Sequence, residues 1–233
     1  MSEMNMSGNK DLVLHKIPKS PHTGSVIEPL EQACFFMRTN EESKALSLLE
    51  KHNELIHNWK NKYGNSIANI AAWHGCIGVL DYLKSLKIQF DLDTLSVMGA
   101  RHLSVLKFLH ENNMLKVNAK GEHGTTPLQQ ACNIADNILG IKMDENLVPE
   151  CLERINFLAA NGANIDQRND NNRTAIMGAA YIGAYPIVDL LLKYKANCSP
   201  DVRCDAGKST IDYAFGEYTE NLIRNNLLNA DCE

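Results

Sequence analysis

One local pattern occurs four times along the chain, and such repetition constrains the fold more strongly than composition does. Each copy begins with a turn residue and a hydroxyl residue, followed by an apolar residue and then by small residues. The sequence therefore predicts a stack of similar units. The hydroxyl residues are Ser66, Thr126, Thr174 and Ser209, and the small residues are Ala71-Ala72, Ala131-Cys132, Ala179-Ala180 and Ala214.

Each unit is predicted to consist of two short antiparallel helices. A Ser or Thr hydroxyl accepts a hydrogen bond from a free N–H at a helix start, and proline is tolerated in the first helical turn. Small residues keep the first helix slim, while Gly75 and Gly183 permit a reversal of the backbone. The second helix carries apolar residues on one face, as in Val79, Leu80 and Leu83. One unit cannot bury this face alone, so neighbouring units must stack.

These segments resemble the ankyrin repeat, in which Gly-x-Thr-Pro-Leu-His-x-Ala-Ala opens the first helix and a Gly-Ala pair follows the second. The most faithful matches are Gly124, Thr126, Pro127, Leu128, Ala131 and Gly162-Ala163. The resemblance implies an all-α solenoid of helix-turn-helix units joined by short hairpin loops. It also implies a protein that binds another protein and is not an enzyme.

The register divides the chain into a flexible N-terminal segment, residues 1–24, and an ankyrin-repeat domain, residues 25–233. In the first unit, the second helix is expected to begin at a capping box formed by Thr39 and Glu42. The third unit is degenerate, because its first helix, around Leu95 to Ala100, lacks the Thr-Pro-Leu opening. The expected repeats span residues 25–57, 58–90, 91–117, 118–166, 167–199 and 200–233, the last being a C-terminal cap.

The fourth unit is longer than the repeat allows and carries an insertion near residues 133–150. Apolar residues at mixed helical spacing, including Ile134 and Ile138, are followed by acidic and turn residues up to Pro149. The insertion is therefore expected to extend the first helix of this unit and then to form a bulging loop. Insertions in repeat proteins often lie on the binding face.

Charge and hydropathy favour a cytoplasmic protein. The formal net charge is −5, and no run rich in Lys or Arg offers a site for nucleic acid or an anionic membrane. The first residues lack the apolar core of a secretory signal, and no run approaches the roughly 20 apolar residues of a membrane span. The seven cysteines, an odd number without a tight framework, are expected to be reduced thiols.

No motif of a cofactor, metal or catalytic site is complete. Cys34 and Cys132 take the place of a small buried residue, while Cys198 and Cys204 lack the spacing and the histidines of a zinc site. No HExxH motif is present, and Gly121–Gly124 lacks the elements of a phosphate loop. We therefore expect no catalytic, cofactor-binding or metal-binding residue. A Cys–His pair that meets only in space stays open as an alternative.

In the ankyrin family, partners usually meet the tips of the hairpin loops and the exposed face of the first helices, which form a concave strip. Aromatic and Arg side chains dominate the energetics of many interfaces, so Trp73, Tyr181 and Arg173 are the expected anchors. Packing against the next helix is the alternative role of both aromatic residues. The predicted partner-binding residues are Tyr63, Asn65, Trp73, His74, Glu122, His123, Thr125, Asn133, Ile134, Asp170, Asn171, Arg173, Tyr181 and Ile182.

Three hypotheses about function follow. The favoured one is a cytoplasmic, monomeric adaptor or inhibitor that holds a protein partner on its concave face. A second, compatible with the first, is a pathogen effector in the host cytosol, because irregular repeats and heavy Asn usage resemble ankyrin proteins of intracellular bacteria. A third, of a different class, is an enzyme with a site in the insertion or in the degenerate third repeat.

Overall fold

The computed structural model describes residues 29–133 and 145–230, which contain twelve α-helices and no strand. The predicted N-terminal segment, residues 1–24, and residues 134–144 of the predicted insertion lie outside the described residues. The helices are α1 (Pro29–Arg38), α2 (Glu42–Lys51), α3 (Ile67–His74), α4 (Ile77–Ser85), α5 (Leu92–Gly99), α6 (Leu103–Glu111), α7 (Pro127–Ala131), α8 (Val148–Ala160), α9 (Ala175–Tyr181), α10 (Tyr185–Lys193), α11 (Thr210–Tyr213) and α12 (Glu217–Ala230).

The helices form two layers. Each odd-numbered helix packs against the next odd-numbered helix, from α1 to α11, and the even-numbered helices do the same from α2 to α12. The odd-numbered helices therefore form an inner layer and the even-numbered helices an outer layer. This arrangement confirms the predicted all-α solenoid of helix-turn-helix units. Within residues 29–133 and 145–230, none of the helices combines the length and the apolar composition that crossing a membrane requires.

Two inner helices begin as the sequence predicts. The Ser66 hydroxyl accepts a hydrogen bond from the Asn69 N–H at 3.3 Å, and the Thr126 hydroxyl accepts one from the Gln129 N–H at 3.1 Å. The Gln129 side chain accepts in turn from the Thr126 N–H at 3.0 Å, which completes a capping box. Both hydroxyls thus satisfy N–H groups that have no partner within the helix.

Two other helix starts differ from the prediction. The Thr174 hydroxyl has no hydrogen-bond partner, although this residue precedes α9. Glu41 precedes α2 without a side-chain cap, and the Thr39 hydroxyl instead donates to the Phe35 carbonyl oxygen at 3.2 Å. The predicted capping box at Thr39 is therefore wrong. Asn40 has a left-handed φ of 60°, and the sharp turn there leaves Thr39 at the end of α1.

The degenerate third unit keeps its inner helix through a different cap. The Asp91 carboxylate accepts from the Thr94 N–H at 3.2 Å and from the Thr94 hydroxyl at 2.7 Å. Aspartate is as effective as serine at this position, so α5 begins at Leu92 without the Thr-Pro-Leu opening.

The inner helix of the fourth unit is short. It ends at Ala131, and the Asn133 N–H bonds to the Gln130 carbonyl oxygen three residues back, which closes the final turn. The prediction that this helix extends into the insertion is therefore wrong. The outer helix α8 begins at Val148 with Pro149 in its first turn, where a missing N–H costs no hydrogen bond.

The core is formed by the small residues of the inner helices and by the apolar stripes of the outer helices. Cys34 and Cys132 belong to this core as buried thiols, as their places in the pattern predict. Close stacking of slim inner helices brings the outer stripes into contact, and the buried apolar residues form two clusters along the stack. Buried members include Ala71, Ala72, Val79, Leu80, Leu83, Ala131, Ala179, Ala180, Ile187, Val188 and Leu191.

A buried arginine joins the third and fourth units. Arg154 on α8 donates from its guanidinium to Cys151 Sγ at 2.7 Å and to the Ala131 carbonyl oxygen at 3.4 Å. The same guanidinium donates to the Arg101 carbonyl oxygen in the turn that follows α5. One side chain thus bonds to carbonyl groups beside two successive inner helices.

Candidate functional site

Tight loops precede α3, α7, α9 and α11. Each loop is closed by the same backbone hydrogen bond, from an N–H group to the carbonyl oxygen four residues later. The four loops therefore share one shape and differ in the side chains that they carry. The bonds join Asn61 to Asn65 and Gly121 to Thr125 at 2.9 Å, and Asn169 to Arg173 and Cys204 to Lys208 at 3.0 Å.

The last three of these loops are bonded to one another. The Asp170 N–H donates to the His123 carbonyl oxygen, and the Asp205 N–H donates to the Asn171 carbonyl oxygen, both at 3.1 Å. Only glycine suits position 124, because Gly124 has a φ of 66° and a Cβ there would lie 2.7 Å from the Asp170 backbone nitrogen. These loops thus form one continuous wall, which we call the loop wall.

Asparagine side chains also bond neighbouring loops to one another. Asn118 donates from Nδ2 to the Gly162 carbonyl oxygen at 3.0 Å and accepts from the Asn164 N–H at 2.7 Å. Asn172 donates from Nδ2 to Asp205 Oδ1 at 2.7 Å. A carboxamide carries both donors and an acceptor, so it can bridge polar groups of two loops. The frequent asparagines therefore have a structural role between neighbouring units.

The loops and the inner helices enclose a groove with a volume of about 1270 Å³. Among the described residues, its charged lining residues are Lys60, Asp91, Glu122 and Arg173, apart from two histidines. Hydrogen bonding and aromatic contact therefore dominate the chemistry that this surface offers. Its carboxamides are Asn58, Asn65, Asn69, Gln89, Gln129, Gln130, Asn133, Asn169 and Asn171.

Most of the predicted partner-binding residues line this groove. Tyr63 and Asp170 belong to the loops but do not line the groove, and His74 lies at the end of α3 outside it. Ile134 lies outside the described residues. The binding role of all these residues stays a prediction. Those that line the groove are Asn65, Trp73, Glu122, His123, Thr125, Asn133, Asn171, Arg173, Tyr181 and Ile182.

Three further groove residues were not singled out from the sequence. All three occupy one register position, four residues after the hydroxyl residue that precedes each inner helix. This position lies one helical turn into the inner helix and lines the groove in α7, α9 and α11, whereas Ile70 at the same position of α3 does not line it. The residues are Gln130 on α7, Gly178 on α9 and Tyr213 on α11.

Both predicted aromatic anchors are held by neighbouring side chains. The guanidinium carbon of Arg101 lies 4.4 Å from the centroid of the Trp73 ring, in a cation–π contact. The Tyr181 and Tyr213 rings meet edge to face, with centroids 6.0 Å apart and planes at 87°. Tyr181 is still 42% exposed, so packing against a neighbour leaves much of its ring open to the groove.

Two histidines near Trp73 are kept neutral by burial and by positive neighbours. Burial, followed by the charges of Arg38, His102 and Arg101, lowers the pKa of His74 from 6.5 to about 4. Burial also lowers the pKa of His102, although the contact of its Nε2 with the Trp73 carbonyl oxygen at 3.0 Å acts in the opposite direction. Both imidazoles are therefore neutral at neutral pH.

Acidification from about pH 7 to about pH 4.5 is expected to destabilise the fold through His74. The unfolded chain takes up this proton near pH 6.5 and the folded chain near pH 4, so the unfolded state binds more protons between these values. The free energy of unfolding is expected to fall by about 1–3 kcal/mol, and the loss is complete near the pKa of His74 in the folded state. Urea unfolding at the two pH values measures it. The His74→Gln variant should lose less of its free energy of unfolding than the wild type. An equal loss in both proteins would contradict the assignment of the pH dependence to His74.

The thiols differ in their electrostatic surroundings. Burial raises the pKa of Cys34 to about 12 and that of Cys76 to about 11. Burial acts to raise the pKa of Cys204 too, but the Tyr213 hydroxyl at 3.2 Å and backbone N–H groups lower it overall. The six thiols of the described residues are buried, which restricts access of any substrate. Within the same residues, no group of three His, Cys, Asp or Glu side chains is placed to hold a metal ion.

Comparison with known proteins agrees with this architecture. A family model described as ankyrin repeats (many copies) matches residues 147–215, a segment that contains α8 to α11. No curated protein matches the chain significantly. The helix pairs that precede the matched segment stack in the same two layers as those within it. The segment of residues 147–215 is therefore similar to ankyrin repeats, and the described helix pairs form a helical solenoid consistent with that similarity.

Proposed function

We propose that the groove binds a protein partner and that the protein acts as an adaptor or inhibitor. Ankyrin repeats are generally protein–protein interaction modules, and the family is typically not enzymatic. The proposal therefore assigns no catalytic residue and no cofactor.

One observation carries the proposal: two supported aromatic side chains lie on the groove. Trp73 is on α3 and Tyr181 is on α9, and both line the groove. Their rings rest on Arg101 and Tyr213, so little conformational freedom is left to lose when a partner binds. Aromatic residues of this kind supply much of the binding energy in protein interfaces.

The polar loops complete the surface. Glu122, His123 and Asn171 surround the aromatic residues with groups that form hydrogen bonds in water as well as in a complex. An apolar centre with a polar rim is typical of interfaces between proteins that also exist separately. The proposed function is therefore that of a monomeric cytoplasmic protein that binds its partner reversibly.

The effector hypothesis stays an expectation from the sequence. It rested on irregular repeats and frequent asparagines. Asn118 and Asn172 have a structural role, since they bond neighbouring loops to one another. The proposed function is therefore limited to partner binding, and action in a host cytosol is a separate question of where the protein is found.

Affinity capture followed by mass spectrometry tests the proposal. The wild-type chain and the Tyr181→Ala variant serve as baits in parallel, and Tyr194→Ala is the matched control. Tyr194 is 37% exposed at the end of α10 and does not line the groove. Loss of one anchor ring should weaken partner binding about thirtyfold, which corresponds to about 2 kcal/mol.

A partner that is retained by wild type and Tyr194→Ala, and lost by Tyr181→Ala, would support binding in the groove. Equal retention by all three baits would place the interface elsewhere on the molecule. Circular dichroism of the three proteins confirms that each bait is folded, so a lost partner reflects the surface and not the fold.

A further inference from the structure

In the part of the chain that the structure describes, three glycines lie within α-helices, and close packing explains two of them. A Cβ on Gly99 of α5 would lie 2.5 Å from Val105 Cγ1, so only glycine fits there. A Cβ on Gly78 of α4 would lie 3.1 Å from Glu42 Oε1, which is tighter than ordinary contact. A Cβ on Gly178 of α9, by contrast, would have no neighbouring atom within 4 Å.

Gly178 therefore weakens its helix without any packing reason inside the protein. Glycine in a helix interior is less stable than alanine, because it loses more backbone freedom on folding. Its backbone is helical, so no left-handed φ requires glycine either. The remaining reason for glycine is close approach of a group from outside. Gly178 is exposed and lines the groove, and we call the open space above it the socket.

The neighbours of the socket present hydrogen-bond donors. Gln130 occupies the same register position on the adjacent helix α7, is 9% exposed, and has a buried Nε2 without a partner. Arg173 precedes α9, and its guanidinium carbon lies 5.2 Å from the centroid of the Tyr213 ring. The Lys208 ammonium lies 5.5 Å from the same centroid. Gln130 and Arg173 therefore line the same groove as Gly178, together with the rings of Tyr181 and Tyr213, whereas Lys208 does not line it.

Negative charge is absent from the groove lining that α7, α9 and α11 contribute in the described structure. The acidic residues of the groove, Asp91 and Glu122, precede α5 and α7. Asp212 on α11 does not line the groove, because its carboxylate accepts from the Ser209 N–H at 2.8 Å and pairs with Arg203 at 3.3 Å. The socket thus offers donors and positive charge to a ligand that carries an acceptor.

We propose that the socket over Gly178 receives a carboxylate side chain, Glu or Asp, from an extended segment of the protein partner. The carboxylate would accept hydrogen bonds from Gln130 and Arg173, since guanidinium and amide donors suit its two oxygens. The aliphatic stem would lie between the backbone of Gly178 and the rings of Tyr181 and Tyr213. This inference rests on the proposed function, because it names the chemistry of the partner at that groove.

A defined peptide probe tests the socket without knowledge of the natural partner. Random 12-residue peptides displayed on phage are selected on the wild-type chain, and the enriched peptides are synthesised with each acidic residue changed to its amide. The selected peptides should share an acidic residue whose amide replacement lowers affinity about tenfold or more, as expected for a charge-assisted pair of hydrogen bonds.

The decisive variants fill the socket. Gly178→Leu should weaken the selected peptides about thirtyfold or more, and Gly178→Ala should weaken them less, in order of added volume. Neither variant should lower the melting temperature, because alanine and leucine are better helix formers than glycine and the space is empty. Ala160→Leu, which adds bulk at an exposed position of the outer helix α8, is the matched control.

The outcomes distinguish the socket proposal from the groove proposal. The socket proposal would be overturned by peptides that bind Gly178→Leu and wild type with equal affinity. Peptides that show no preference for an acid over its amide would overturn it too. Failure to select any peptide would overturn it too, since a linear acidic segment would then lack affinity. The groove proposal would survive either result, because the Tyr181→Ala capture experiment tests it with intact partners.

Discussion

Replacement of both Trp73 and Tyr181 by alanine is expected to weaken binding of the captured partner by at least several hundred-fold. Each ring lines the groove and is held by a neighbour, Arg101 or Tyr213. Truncation of such an anchor typically costs about 2 kcal/mol or more of binding free energy, and each 1.4 kcal/mol is about a tenfold change in affinity. The double variant therefore tests both ends of the groove at once.

The two losses should add, because the rings are on α3 and α9 with α5 and α7 between them. Residues without a shared partner usually contribute independently. Titration calorimetry of wild type, both single variants and the double variant measures the sum. A loss of binding free energy in the double variant far below the sum of the two single losses would show that one ring depends on the other. A folded double variant with undiminished affinity would place the interface outside the groove.

Thermal stability should change only modestly in the same variants. Tyr181 is 42% exposed and Trp73 is partly exposed, so neither truncation opens a closed cavity in the core. A melting curve by circular dichroism checks this expectation.

Leu191→Ala is expected to lower the free energy of unfolding by about 2–5 kcal/mol, since it removes a fully buried side chain and leaves a cavity. Leu191 is 0% exposed and lies on α10, in the same core cluster as Ile223 of α12. Leu192→Ala is the matched control, because Leu192 is the next residue on α10 and is only partly buried. Urea unfolding of the three proteins measures the difference.

The Leu191→Ala substitution should also destabilise the last unit of the stack. Each unit of a solenoid is stabilised by its neighbours, and α12 packs on α10. Amide hydrogen exchange in Leu191→Ala should therefore show early loss of protection in α11 and α12, while the first units keep theirs. Full protection of residues 210–228 in this variant would contradict the coupling between the last two units.

Helix pairing was predictable from the sequence because its signals are local. Ser66 and Thr126 cap the inner helices that they precede, and the pairs of small residues that follow them, Ala71-Ala72 and Ala131-Cys132, are buried. A cap contacts N–H groups within one helical turn, and a stripe of apolar residues lies on one helical face whatever its neighbours are. These features needed no knowledge of distant residues.

Helix starts and ends were less predictable where several short polar residues compete. Asp91 caps α5 in the unit that lacks the family pattern, while Thr39 donates backward to α1 and does not cap α2. Both residues have suitable side chains, and the backbone turn decides between the alternatives. The left-handed φ of Asn40 is such a turn, and no sequence pattern specified it.

The sequence by itself therefore determined the repeating helix pairs, the slim inner layer and the apolar stripes, because each depends on residues within one unit. Only the tertiary structure decided which polar and small residues share a surface. Arg154 reaches the carbonyl oxygens of Ala131 and Arg101, and Gly99 is crowded by Val105 while Gly178 faces open space. The two glycines look alike in sequence, and only the packing of neighbouring helices distinguishes a tight contact from an open socket.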